Sequence, residues 1–413
     1  MWLEAAENKE LTAALLLDLS AAFDIVDHVI LLRKLAIYNF SPESICWFKS
    51  YLENRRQTVQ VESKLSYPKE LEDYGVPQGS NLGPLIFLLF NNDFPDSTED
   101  GESVLYADDN TDNASDSNPE DLQQKIQREA DNSTDWVSDN RMVCAGDKTK
   151  LLIVGTKQLR QSRLISKNKT IEVKVCDSII KESKSEKLLG IIVNNELTWK
   201  EHLYGESWRE EGNSQGLIPQ LAQRVGILSQ IIHRVSAESF NLISNGLFNS
   251  KLIYGLQVFG HCWSISTMDE ERRHFSAFTI EDCRKLQVLH NKILRMKTNS
   301  DYDVSTSELL TKANELSVHQ LVAYHTLLTV QKSICQGTPK YISDKFNYKS
   351  DDSRHDKKVS VQGKLTISRS GFMFRGGCLW NQLPIEIRSI KCYNSFKSKL
   401  KKWIRSHIKI RPV

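Results

Sequence analysis

Apolar residues in the first part of the chain occur in short runs that end on acidic residues. Residues 12–19 form one continuous aliphatic run, the pattern of a strand buried on both faces, and Asp18 lies close to its C-terminal end. Residues 103–107 form a second short run, which is followed directly by Asp108 and Asp109. The pattern therefore predicts two strands that each deliver carboxylates to their carboxyl ends.

Helical spacing and turn residues organise the segment between these two strands. Apolar residues at helical spacing behind Asp27 predict one helix, and Ser41 followed by Pro42 predicts the start of another. Alternation over residues 58–62 predicts a half-buried strand, and the apolar residues 82–90 predict a helix after a glycine-rich turn.

A polar stretch and three further strands follow the acidic pair. Residues 110–118 are rich in Asn, Asp and Ser and are predicted to form an exposed loop, and residues 119–136 are predicted to form a polar helix. Further strands are predicted over residues 150–154, 171–175 and 188–193.

The pattern becomes purely helical after about residue 200. Helical spacing extends over residues 217–259, 280–295 and 318–335. The predicted fold class is α+β, with an antiparallel sheet and its helices over residues 1–200, a helical region over 201–300 and a helical C-terminal region with a basic tail over 301–413.

Charge and cysteine content narrow the functional classes. The net charge is only +2, but residues 93–139 hold fifteen acids against two bases, whereas residues 388–413 hold nine Lys or Arg and no acid. The first region suits metal chemistry and the second suits phosphate contact. The eight cysteines lack zinc-ligand spacing, and neither a signal peptide nor a membrane span is evident. An intracellular protein with reduced thiols is expected.

The three carboxylates Asp18, Asp108 and Asp109 suggest two-metal chemistry. Nucleotidyl transfer uses two divalent ions about 3.5–4 Å apart, and hard cations such as Mg²⁺ require anionic oxygen ligands. Carboxylates at the ends of neighbouring strands can supply those ligands. The other interpretation of an isolated Asp pair after a strand is a solvated turn.

Several segments, in order, resemble the reverse transcriptases of non-LTR (LINE-type) retrotransposons. The matching segments are 17–24 (LDLSAAFD), 75–84 (GVPQGSNLGP), 106–109 (YADD), 188–190 (LLG), 217–221 (LIPQL), 248–252 (FNSKL) and 379–384 (LWNQLP). The resemblance implies a polymerase palm followed by a mainly helical thumb, with partial fingers within residues 1–200. Because that family has about a hundred residues of fingers before its first catalytic strand and only seventeen residues precede Asp18 here, an N-terminally truncated copy is expected.

The resemblance also implies the metal ligands. Asp18 and Asp108 would bridge two Mg²⁺ ions, which Mn²⁺ can replace, with Asp109 beside them and the backbone carbonyl of Leu19 as a further ligand.

Contacts to the substrates or to the leaving pyrophosphate are implied at five positions outside the acidic cluster. Phe23 would lie under the sugar and exclude a 2′-hydroxyl, although ordinary core packing is its other interpretation. Pro77, Gln78 and Gly79 would contact template and nucleotide, since glycine allows close backbone approach. Lys148 would neutralise the leaving pyrophosphate or else be a solvated turn lysine.

The expected function is RNA-directed DNA polymerisation, with an RNA template, a DNA primer and deoxynucleoside triphosphates as partners. No membrane or protein partner is evident from the sequence. The alternatives are a catalytically inactive nucleic-acid-binding remnant, favoured by the missing fingers, and an RNA-directed RNA polymerase, disfavoured by Phe23 and the Pro77–Gly79 segment.

Overall fold

A computed structural model describes most of the chain as two compact units. The described residues are 1–70, 74–205, 216–260, 279–346, 358–360 and 371–408. One unit comprises residues 4–186 with Trp2, and the other comprises residues 187–413 with Met1 and Leu3. Each unit is described by itself.

In its described residues, the N-terminal unit combines six α-helices with ten strands. Its helices are α1 (Trp2–Glu7), α2 (His28–Ile37), α3 (Pro42–Leu52), α4 (Gly83–Phe90), α5 (Pro119–Asp139) and α6 (Lys157–Arg163). Its strands are β1 (Leu11–Leu17), β2 (Arg56–Gln57), β3 (Gln60–Val61), β4 (Lys64–Leu65), β5 (Lys69–Glu70), β6 (Glu102–Tyr106), β7 (Asp109–Asp116), β8 (Lys150–Val154), β9 (Glu172–Val175) and β10 (Ser178–Ser183). Strand β11 (Ser185–Leu188) then pairs with β12 (Ile191–Asn194) in a separate two-stranded sheet.

The main sheet has six strands in the order β6-β7-β1-β8-β10-β9. Strand β1 runs antiparallel to both of its neighbours, with Leu17 opposite Asn110 and Leu16 opposite Lys150. Only β8 and β10 pair in parallel within this sheet. The aliphatic side chains of β1 are almost completely buried, as their continuous run predicts. The α+β class is confirmed.

The prediction of an exposed loop over residues 110–118 is wrong. Most of this stretch belongs to β7, an inner strand whose residues 110–114 are buried. Two of its polar side chains find partners inside the protein: Asp112 accepts hydrogen bonds from Ser103 and Ser133, and Asn113 accepts one from the Trp2 indole at 2.7 Å. The polar composition led to a wrong prediction here because internal hydrogen bonds offset the cost of burying polar groups.

The half-buried strand predicted over residues 58–62 is also wrong. Two short ribbons, β2 with β5 and β3 with β4, occupy this region, and all of their residues are exposed. Val59 and Val61 are exposed by 55% and 67%, so the alternation does not mark a buried face here. Nothing described packs over the valines.

Helices cover the main sheet and begin where their capping residues predict. Asp27 caps α2 by accepting from the Ile30 amide at 2.9 Å, and Ser41 caps α3 with Pro42 as its first residue. Helix α5 begins at Pro119 as predicted and continues three residues beyond Trp136. These helices enclose one apolar core against the sheet.

The C-terminal unit is helical, as predicted. Its helices are α7 (Lys200–Tyr204), α8 (Leu217–Ile231), α9 (Ala237–Ser244), α10 (Ser250–Ile253), α11 (Leu256–Phe259), α12 (Ile280–Thr298), α13 (Thr306–Lys312), α14 (Val318–Gln336), α15 (Lys340–Ser343), α16 (Phe372–Gln382), α17 (Ile385–Arg388) and α18 (Tyr393–His407). Most of them share one apolar core, which contains the fully buried Trp380, while Leu294, Leu309 and Leu310 of α12 and α13 form a second, smaller cluster. The domain limits at residues 200 and 300 stay predictions.

Buried polar atoms in β7 generate a stability prediction. In the described chain, neither polar side-chain atom of Asn110 has a hydrogen-bond partner, although Asn110 is buried. An unpaired buried amide costs roughly 1–3 kcal/mol, so Asn110→Val should raise the free energy of unfolding by about 1 kcal/mol in urea titrations.

Asn113→Val is the matched control. The Asn113 amide donates to the Glu102 and Thr111 carbonyls at 3.1 Å each, so its removal should destabilise the protein by about 1–3 kcal/mol. Equal destabilisation by Asn110→Val and Asn113→Val would contradict the conclusion that the Asn110 side chain is unpaired while that of Asn113 is hydrogen-bonded.

Candidate active site

The structure brings the three predicted carboxylates together at one end of the sheet. Asp18 directly follows β1, while Asp108 lies in the two-residue turn between β6 and β7 and Asp109 begins β7. Because Leu17 pairs with Asn110 in an antiparallel ladder, Asp18, which follows Leu17, lies level with Asp109, which precedes Asn110. Ala107 adopts a left-handed conformation with φ of 55°, which allows the tight turn that presents Asp108.

The negative charges of Asp18 and Asp108 raise the cost of ionising Asp109. Burial raises the pKa of Asp109, and the negative charges of Asp108 and Asp18 raise it further. None of the three forms an ion pair with a basic side chain in the described residues. A cluster of this kind gains stability from any cation that neutralises it.

The donor set suits a hard divalent cation, since carboxylate and carbonyl oxygens are the ligands such ions prefer. Across the described ranges, however, no three His, Cys, Asp or Glu side chains are disposed so that they could hold one metal ion together. The fit to a metal therefore rests on donor chemistry and on uncompensated negative charge.

Backbone bonds fix the end of β1 beside a second chain segment. The Ala145 amide donates to the Asp18 carbonyl at 2.9 Å and the Ser20 amide donates to the Val143 carbonyl at 2.8 Å. Leu19 and Cys144 thus form the non-hydrogen-bonded pair between these two bonds, and the Leu19 carbonyl points away from residues 143–145. No hydrogen bond to this carbonyl is found among the described residues.

Thr149 and Lys148 lie close to this segment in sequence but differ in their contacts. The buried Thr149 hydroxyl accepts from the Asp18 amide at 3.4 Å. Lys148 lies in the preceding turn with an exposed side chain. No hydrogen bond or ion pair joins that side chain to Asp18, Asp108 or Asp109 in the described part of the chain.

Phe23 is anchored by an aromatic stack and a backbone bond. Its half-buried ring stacks on Phe87 in α4, with centroids 4.5 Å apart and planes inclined by 21°. The Val76 amide donates to the Phe23 carbonyl at 2.8 Å, which joins the loop after β1 to the glycine-rich turn. Two segments far apart in sequence therefore meet beside the end of β1.

Gln78 strengthens that junction through a contact that sequence reasoning missed. Its side-chain amide donates to the Asp24 carboxylate at 2.9 Å. Asp24 belongs to the same 17–24 segment as Asp18, and this was the only signal in the sequence that it could matter. The bond joins Gln78, which is predicted to contact substrate, to the segment that carries Asp18 at the acidic end of the sheet.

Glycines allow the turn to approach its neighbours. Gly75 has φ of +81°, and a β-carbon there would lie 2.7 Å from the Asp24 carbonyl oxygen. At Gly83 a β-carbon would lie 2.8 Å from the Pro77 carbonyl oxygen. Gly79 also has a positive φ of +78°, but open space surrounds its α-carbon, so its backbone is accessible to a bound molecule.

The other resembling segments form structural junctions in the C-terminal unit. Leu189 and Gly190 both have positive φ and form the tight turn between β11 and β12, where the Tyr254 hydroxyl donates to the Leu189 carbonyl at 2.6 Å. Asn381, beside the buried Trp380, exchanges two hydrogen bonds with the Val359 backbone. The last segment is therefore a packing motif in this structure.

Comparison with known proteins agrees with the geometry at the end of the sheet. The family described as reverse transcriptase (RNA-dependent DNA polymerase) matches residues 3–193. Residues 3–193 belong to the reverse transcriptase family. This stretch contains every predicted site residue, from Asp18 to Lys148.

Polymerases of mobile elements are among the curated proteins that resemble this chain. The RNA-directed DNA polymerase from mobile element jockey of Drosophila melanogaster is 44% identical over 26% of this chain and 12% of its own length. The jockey polymerase of Drosophila funebris is 26% identical over 74% of this chain and 30% of its own length. The probable RNA-directed DNA polymerase from transposon X-element of Drosophila melanogaster is 40% identical over 26% of this chain and 12% of its own length.

These matches confirm the predicted kinship with LINE-type reverse transcriptases. The chain spans less than a third of the length of these relatives. No described helix is both long and apolar enough to cross a membrane.

Proposed function

We propose that this chain carries the polymerase centre of a retrotransposon reverse transcriptase. A primer 3′-hydroxyl would attack the α-phosphate of a deoxynucleoside triphosphate on an RNA template, forming the new phosphodiester bond and releasing pyrophosphate. The observation that carries the proposal is the convergence of Asp18, Asp108 and Asp109 at adjacent strand ends, within the stretch that matches the family.

Asp18 and Asp108 would hold two Mg²⁺ ions, with Asp109 and the Leu19 carbonyl as further donors, and Mn²⁺ could replace Mg²⁺. When bound, the ions would activate the primer hydroxyl and neutralise charge on the transferring phosphate. The raised pKa of Asp109 and the lack of ion pairs to all three acids in the described chain support this assignment.

The remaining site residues would bind and orient the substrates. Phe23, held by its stack on Phe87, would abut the sugar at C2′. Pro77, Gln78 and Gly79 would contact template and nucleotide from the turn that is bonded to the Phe23 loop. Lys148, exposed after Gly146 and Asp147, would neutralise the leaving pyrophosphate.

Asp108→Asn tests the catalytic proposal. It should reduce Mg²⁺-dependent primer extension on RNA at least about a hundredfold, since a lost ligand removes several kcal/mol of charge stabilisation. Folding should be nearly unchanged because Asp108 is an exposed turn residue. Asp135→Asn, an exposed acid within α5, is the control and should keep wild-type activity. Normal extension by Asp108→Asn would refute the assignment.

Phe23→Val tests the sugar gate. Removing the ring should open room for a 2′-hydroxyl and raise the use of ribonucleotides relative to deoxynucleotides in single-nucleotide extension. Phe23→Tyr keeps the ring and should keep the wild-type preference. If discrimination is the same in all three proteins, Phe23 is a packing residue only. A wild-type preference for ribonucleotides would instead indicate an RNA-directed RNA polymerase.

A second candidate function is nucleic-acid binding without polymerisation. It is favoured by the absence of a complete metal-binding group from the described residues and by the cationic helix α18. Phe396, Leu400 and Ile404 bury one face of α18 in the core of its unit, while Lys397, Lys402 and Arg405 are exposed.

Lys401 of the same helix does not extend freely into solvent. It is half-buried and donates to the Asn314 carbonyl at 2.9 Å. The last residues of the basic tail, including Lys409 and Arg411, lie outside the described residues.

Replacing Lys397 and Lys402 together with Ala tests phosphate contact by α18. If both bind phosphates, RNA affinity should fall similarly for different sequences, and the slope of log affinity against log salt should become shallower by about 0.7 per lost contact. Lys340→Ala, outside α18, serves as the control for removal of a lysine charge. An unchanged slope would make α18 purely structural.

A further inference from the structure

Helix α3 ends in a column of flat side chains on its outer face. Trp47 and Tyr51, one helical turn apart, stack with ring centroids 5.8 Å apart and planes inclined by only 10°. The Arg55 guanidinium then lies 5.1 Å from the Tyr51 ring centroid. The three side chains thus form one ordered stack of two rings and a cation.

Tyr51 packs against the core from its edge, but Trp47 at the end of the column does not belong to the core. The neighbouring residues Phe48 and Leu52 bury the inner face of α3, whereas Trp47 is 53% exposed. Trp47 also touches Phe48 edge to face at 5.2 Å, so its indole is held in place. A large aromatic surface is therefore both open and pre-ordered, which lowers the entropy cost of binding a flat partner.

The Arg55 guanidinium at one end of the column favours an anionic partner, although the exposed Glu43 lies one helical turn before Trp47. Lys49 pairs with Glu53, and Arg56 pairs with Glu70 at 2.7 Å. Arg55 has no carboxylate partner in the described chain; its one hydrogen bond goes to the Tyr51 carbonyl. Most of its N–H donors are consequently available for a phosphate.

We propose that Trp47, Tyr51 and Arg55 form a stacking platform for single-stranded nucleic acid. A base would stack on the open surface of Trp47, and Arg55 would contact a backbone phosphate. Such platforms tolerate any sequence because every base has a flat face. This inference goes beyond the proposed polymerase centre, because the stack uses none of its carboxylates.

Fluorescence anisotropy with a labelled single-stranded oligouridylate, using the full chain, tests the platform. Loss of one stacked base costs about 1–3 kcal/mol, so Trp47→Ala should weaken binding by about 5- to 150-fold. Trp47→Phe should retain part of the affinity. Ile37→Ala, which removes a 74% exposed aliphatic side chain from α2, is the matched control and should bind like wild type.

Arg55→Ala provides a second readout that a folding defect cannot imitate. It should make the salt dependence of binding shallower by about 0.7, whereas Trp47→Ala should leave that slope unchanged. Circular dichroism and urea titration verify that each variant is folded. If Trp47→Ala destabilises the protein, Trp47→Phe and Arg55→Ala still decide the result.

Wild-type affinity in folded Trp47→Ala would overturn the proposal. It would also be overturned if Trp47→Ala abolished self-association of the chain without changing RNA affinity, since the column would then be a protein interface. Repeating the RNA-binding assay with the Asp108→Asn variant separates the stacking platform from the polymerase proposal. Tryptophan-dependent binding without extension in wild type would reject only the polymerase proposal, and extension without such binding would reject only the platform.

Discussion

The position of β1 between β7 and β8 is the constraint on which the N-terminal unit depends. Antiparallel pairing on both sides fixes the register of β1, and a shift of one residue would move every side chain to the opposite face. That register places Asp18 level with Asp109 on one side. On the other side, bonds to residues 143–145 and to Thr149 hold its backbone. The register of β1 thus determines both the packing of its side chains and the position of the acidic cluster.

The same constraint explains why a polar strand is tolerated inside the sheet. Strand β7 must return beside β6 because only Ala107 and Asp108 separate the two strands, and its other edge pairs with β1. Its buried carboxylate Asp112 is supported by two serine hydroxyls, although burial still raises its pKa. The burial of Asp112 therefore costs stability in the same strand that presents Asp109. Such a cost is expected where the requirements of function and of folding conflict.

Sequence patterns predicted the elements in which local and tertiary requirements agree. The limits of β8 and the caps Asp27 and Ser41 follow from apolar runs and capping chemistry, and Asp18 and Asp108 were found because they end such runs. Strand β7 was missed because its composition is that of a loop and only long-range pairing makes it a strand. The bond between Gln78 and Asp24 joins residues 54 positions apart, which no local pattern can reveal.

Binding of Mn²⁺ tests most directly whether this strand arrangement creates a cation site. Titration followed by electron paramagnetic resonance, which detects free Mn²⁺, should show saturable binding to the wild-type chain. The double variant Asp18→Asn/Asp108→Asn should lose that binding, whereas Asp131→Asn/Asp135→Asn, with two exposed acids of α5 replaced, should retain it. Equal binding by the wild type and the Asp18→Asn/Asp108→Asn variant would contradict the account.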